Sequence, residues 1–72
     1  MNENEIMNEI LADADLLDEA VMEYVHKNSH IERLWKKSQK ELCVVTIREI
    51  QEKAALSCAS HIYNLREKGG VS

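Results

Sequence analysis

The sequence contains no proline and no phenylalanine, and its only two glycines are the adjacent pair Gly69 and Gly70. Nothing before that pair forces a break or supplies an easy left-handed turn, which excludes turn-dense, short-strand architectures and leaves helix. Tyr24, Trp35 and Tyr63 are the only aromatics, and they read as core or interface residues and not as a cofactor box. Cys43 and Cys58 are the only cysteines. They fall on one predicted helix about 22 Å apart, so they cannot bridge each other. Two unpaired thiols and no CxxC motif suit a reducing compartment. Uncharged runs long enough for a membrane span are missing, and the N-terminus is acidic where a signal peptide would be basic. The expectation is a soluble, cytoplasmic protein.

Basic residues are missing from positions 1–25, which instead hold eight acids, Glu3, Glu5, Glu9, Asp13, Asp15, Asp18, Glu19 and Glu23. Residues 26–42 reverse the sign, with Lys27, Arg33, Lys36, Lys37 and Lys40 against Glu32 and Glu41. The net charge of −4 therefore hides an asymmetry that can orient two segments against each other or steer a basic partner.

What is present is helical periodicity. Ile6, Ile10, Ala14, Leu17, Val21 and Tyr24 recur at three- and four-residue steps, predicting a helix over about 4–27, with Met1–Glu5 fraying and Asp13 intruding at the edge of the apolar face. His26–His30 is the first candidate break, because Asn28 and Ser29 divert backbone hydrogen bonds to their side chains. Three S/T-x-x-E signatures, Ser29 with Glu32, Ser38 with Glu41 and Thr46 with Glu49, each have the form of a capping box. They cannot all start helices.

The expected architecture is one small all-α domain over residues 1–72, an antiparallel helical hairpin. A short middle helix gives the three-helix alternative, with helices about 4–27, 30–42 and 44–68, the last two continuous in one version. Gly69-Gly70 reads as a C-cap and Val71-Ser72 as a tail.

The stretch from Cys43 to Lys68 organises the rest. At 100° per residue, Cys43, Ile47, Ile50, Ala54, Cys58 and Leu65 form one apolar stripe, and Val45, Leu56, Ala59 and Tyr63 form a second on nearly the opposite side. One neighbour cannot cover both. A core of this chain length rarely supplies more than about 3–5 kcal/mol unaided, and association is a usual remedy. Val45, Leu56, Ala59 and Tyr63 are therefore the candidate protein interface, with Tyr63 as its anchor. The partner is a helical protein or a second copy of the chain.

No catalytic constellation accompanies this pattern, so the expectation is a non-enzyme without cofactor. Glu23, His26 and His30 could offer metal ligands on an unbroken helix, but the set is incomplete and straddles the break. Cys58 and His61, three apart, have a nucleophile–base spacing without oxyanion donors or an orienting acid, and His61 reads as a buried or edge residue of the packed stripe. Arg33, Lys36, Lys37 and Lys40 could touch phosphates, but the overall charge is acidic and nucleic-acid binders are normally basic. The basic residues read as a solvated face, or as partners for the acidic first helix. The acidic helix itself could serve a small phage- or plasmid-type inhibitor of a nucleic-acid-associated protein.

About seventy residues, an acidic helical start, and a second helix ending in IQEKAALSCASHIYNL from Ile50 to Leu65 together resemble the small co-chaperones of the type III secretion needle subunit. The resemblance implies an antiparallel helical hairpin that docks on a larger helical-repeat chaperone, the two together holding the needle subunit unpolymerised in the bacterial cytoplasm. The family pattern departs at one place: no Gly- or Pro-containing turn separates the helices here.

Overall fold

The computed structural model describes residues 2–70, with side chains through residue 66. Among these residues 91% are helical and none is in a strand. They form four helices, α1 (Glu3–Ala12), α2 (Ala14–Lys27), α3 (Ser29–Lys40) and α4 (Val44–Gly70). The all-α expectation holds, with four helices in place of two or three. Met1, Val71 and Ser72, and with the last two the expected tail, lie outside the described residues. Gly69 and Gly70 continue α4.

The first terminus is capped where fraying was expected. Asn2 Oδ1 accepts the Glu5 backbone N–H at 2.9 Å, and Glu3 and Glu5 place negative charge in the first turn of α1, where the helix dipole favours it. The expected helix over 4–27 is in fact two. Asp13 takes an extended backbone between α1 and α2, and its carboxylate accepts the N–H groups of Asp15 at 3.0 Å and Leu16 at 3.3 Å. The residue that intruded on the apolar face is the N-cap of α2.

At the second break, Asn28 is extended and its own N–H donates to Val25 C=O at 3.2 Å. Its side-chain amide donates back to Tyr24 C=O at 3.1 Å, so it ties off α2 and leaves α3 without a side-chain cap. Ser29 is the first residue of α3 and is not its cap.

The third break is tighter. Cys43 N–H donates to Ser38 C=O at 2.9 Å and Leu42 N–H to Gln39 C=O at 3.3 Å, the crossed pair of a Schellman motif. Leu42 occupies the left-handed position at φ 55°, which glycine normally fills because a Cβ there costs about 1 kcal/mol or more. Cys43 begins α4 by accepting the Ile47 N–H at 3.0 Å. None of the three S/T-x-x-E residues caps a helix: Ser38 is buried inside α3 with its hydroxyl on Leu34 C=O at 2.7 Å, and Thr46 lies in the first turn of α4.

Helix α4 is the hub. Its 27 residues span about 40 Å, and it touches each of the other three, whereas α1 and α3 do not meet. Glu3 accepts a hydrogen bond from the Ser60 hydroxyl, while Leu11, at the other end of α1, shares a hollow with Glu49 and Glu52. The two helices therefore run in opposite senses. The core joins Ile6 and Ile10 of α1, Ala20, Val21 and Val25 of α2, and Ile50, Ala54, Ala55 and Ala59 of α4. Ile31 and Trp35 of α3 pack against it from one side. Extents of 47 × 23 × 16 Å and a radius of gyration of 13.3 Å describe an elongated body, since a compact chain of this length would have a radius of about 11 Å.

Candidate functional site

The four interface candidates on α4 separate in the structure. Val45 and Leu56 are open to solvent, at 69% and 47% exposure. Ala59 is fully buried, and Tyr63 is half-buried against the core. The expected single stripe is therefore corrected to two surface residues and two that face the interior. The physical reason is the alanine content of α4: Ala54, Ala55 and Ala59 lack bulk, so α1 and α2 approach closely along that line and rotate the buried sector away from the Val45–Leu56 side. The other expected stripe changes in the same way. Its ends, Cys43 and Leu65, are exposed, and only Ile50 and Ala54 are buried.

Two apolar surfaces result. Around Leu56, a shallow hollow of about 500 Å³ is lined by Met7 and Leu11 of α1 and by Glu49, Glu52 and Lys53 of α4. Its polar edge carries both signs of charge. At the α3–α4 corner, Leu42, Val44 and Val45 are all exposed, the first at a left-handed backbone position. Sequence reasoning missed Leu42, Met7 and Leu11 as surface elements. Periodicity gives a residue's direction on its own helix and does not say where a neighbouring helix stops.

The candidates for chemistry do not assemble. His26 and His30 are exposed on either side of the Asn28 break, and no group of three or more His, Cys, Asp or Glu side chains suited to a metal ion occurs among the described residues. His61, read from sequence as buried or at an edge, is exposed. It lines a hollow with Cys58, and no hydrogen bond between the two is present among the described residues. Both cysteines are free, in opposite environments. Hydrogen bonds from the Thr46 hydroxyl and the Thr46 backbone hold the exposed Cys43 thiol below its ordinary pKa. Burial pushes the Cys58 thiol up, and the charges of Glu23 and Glu19 push it further.

Within α3, Lys36 pairs with Glu32 at 3.1 Å, an exposed pair that contributes little. Pairing of the basic face of α3 with the acidic first helix was one expectation, and among the described residues no ion pair joins Arg33, Lys36, Lys37 or Lys40 to the acids of α1 or α2. No helix among the described residues is long and apolar enough to cross a membrane.

These features define a class: a thin-cored, elongated helical chain with open apolar surface and no assembled reactive centre among its described residues. Compared with known protein families, curated proteins and solved structures, the chain matches none.

Proposed function

We propose that the chain is a non-enzymatic protein-interaction module whose partner docks on the open side of α4, centred on Leu56 and the Met7–Leu11 edge of α1 and reaching Val45. The observation that carries this reading is the amount of surface left over. The chain exposes 5480 Å² for a mass of 8.3 kDa, about 900 Å² more than surface scaling gives for a compact monomer of that mass. A standard protein interface covers about 800 Å² on each partner.

In the fuller form of this reading the module is a cytoplasmic co-chaperone of a type III secretion needle subunit. A larger helical chaperone covers the Leu56 surface, and the pair keeps the subunit unpolymerised. The acidic residues of positions 1–25 and the all-α fold of the described residues support it. Within it, α1 and α2 are one interrupted arm of an antiparallel hairpin, α4 is the other arm, and α3 forms the bend. Partner binding then stabilises the thin core by mass action, by about 2.7 kcal/mol at a hundredfold excess over Kd.

The test is co-purification from cells expressing the chain with a type III needle chaperone and its needle subunit. Leu56→Glu should weaken complex formation at least about tenfold, the cost of a charge at a buried contact, with the helical circular dichroism of the free chain unchanged. A Val45→Glu variant tests the far end of the proposed contact, at the α3–α4 corner. Full complex formation by both variants would overturn the placement of the partner. A complex-free wild-type chain that sediments as a self-associated bundle would instead favour burial of the same surface by other copies.

A further inference from the structure

On the other flank of α4 lies a second apolar hollow, of about 530 Å³. Its floor is Ile10, Ala20, Cys58 and Ile62, and its outer edge is Leu16 and Met22, with Met22 at 65% exposure. Asp18, Glu19 and Glu23 also line it. All three carboxylates are exposed, and none takes part in an ion pair among the described residues. The first basic residue in the chain is Lys27. The rim therefore has one sign, unlike the mixed edge around Leu56. Burial raises the pKa of the Cys58 thiol beneath the rim, and the charges of Glu23 and Glu19 add to that rise.

An apolar trough bounded by carboxylates selects its occupant twice over. Apolar side chains are wanted along the middle, and positive charge beside them, since acidic flanks would meet like charge at the rim. Methionine at an exposed edge adds a flexible, polarizable contact that adapts to different side chains. We infer that this hollow receives an amphipathic helix of a partner protein, its apolar stripe flanked by lysine or arginine, with Leu16 and Met22 gripping the stripe and Asp18, Glu19 and Glu23 facing the basic flanks. This surface is separate from the Leu56 surface, so the two readings stand or fall independently.

Three synthetic peptides of about five helical turns test it against the full chain carrying Cys43→Ser. One has a leucine stripe flanked by lysine, the second the same stripe flanked by glutamate, and the third the composition of the first in scrambled order. At about 0.1 M salt, where the Debye length is about 10 Å, fluorescence anisotropy should show the first bound at least about tenfold more tightly than the other two. Its binding should slow alkylation of Cys58. Met22→Glu should weaken it, and Leu56→Glu should leave it unchanged. The double change Glu19→Lys, Glu23→Lys should reverse the preference toward the glutamate-flanked peptide, an outcome that misfolding cannot produce. Equal binding of the three peptides, binding that leaves Cys58 as reactive as before, or binding lost with Leu56→Glu and kept with Met22→Glu would each overturn the inference.

Discussion

Two neighbouring stretches, one within α4 and one spanning its start, treat their apolar side chains in opposite ways. From Ile50 to Ala59 the buried residues are mostly alanines, and Ala55 and Ala59 have no solvent exposure at all. From Leu42 to Val45 the apolar side chains are larger and stand in water. What decides burial here is proximity of a neighbour, and proximity depends on small side chains. Alanine lets α1 and α2 approach closely, and each buried alanine contributes little area of its own, so the seam is tight but thin. At the corner no helix arrives, because the chain has just reversed through Leu42 and α3 turns only its Ile31, Trp35 and Ser38 side inward. The same helix is core along its middle and open to solvent at its start.

The contrast breaks most readily at the seam. Ala55→Leu inserts three heavy atoms where two helices already touch, and it should destabilise the fold by about 1–3 kcal/mol. Against a total stability of about 3–5 kcal/mol for a chain of this size, urea titration followed by circular dichroism should show a sharply lowered midpoint. The cap at Asp13 comes next. Asp13→Ala removes the acceptor for the Asp15 and Leu16 N–H groups and should cost about 1 kcal/mol in the same titration. Leu42→Gly has the opposite sign. Relief of the left-handed Cβ outweighs the added freedom of the unfolded chain, because Leu42 is 79% exposed and buries little, and the midpoint should rise by the equivalent of about 0.5–1 kcal/mol. A loss of stability in that variant would mean that the Leu42 side chain is held by something it touches.

Much of the fold was legible from residue pattern. The missing proline and glycine and the three- and four-residue apolar steps were enough for the helical class, and Asn28 marked a real break by the mechanism expected, a side chain competing for backbone hydrogen bonds. The start of α4 was also within reach. The Asp13 break was hidden because Ile6, Ile10, Ala14 and Leu17 keep the helical period straight across it, and because no Glu or Gln follows three residues later to complete a capping box. The Leu42 turn was hidden because leucine is a poor occupant of its backbone conformation. For the surface, direction on the helix put Val45 and Leu56 on one side of α4, and both are exposed there. It misplaced Ala59 and Tyr63, since an alanine carries no sign of which neighbour it admits. The acid-rimmed hollow needed α2 and α4 side by side, and only its acidity could be read beforehand.

The central claim is that α4 has one side sealed by its own chain and another left open for a partner. Thiol labelling along the helix measures this directly. In a Cys43→Ser, Cys58→Ser background, single cysteines replace Val45, Leu56 and Ala59 in turn, and each is alkylated in dilute native protein. Val45→Cys and Leu56→Cys should react nearly as fast as in denaturant, while Ala59→Cys should react more slowly by at least about a hundredfold, as a site that opens only through local or global unfolding. Protection of Leu56→Cys equal to that of Ala59→Cys in the dilute monomer would show that the chain covers its own surface, and would contradict the claim.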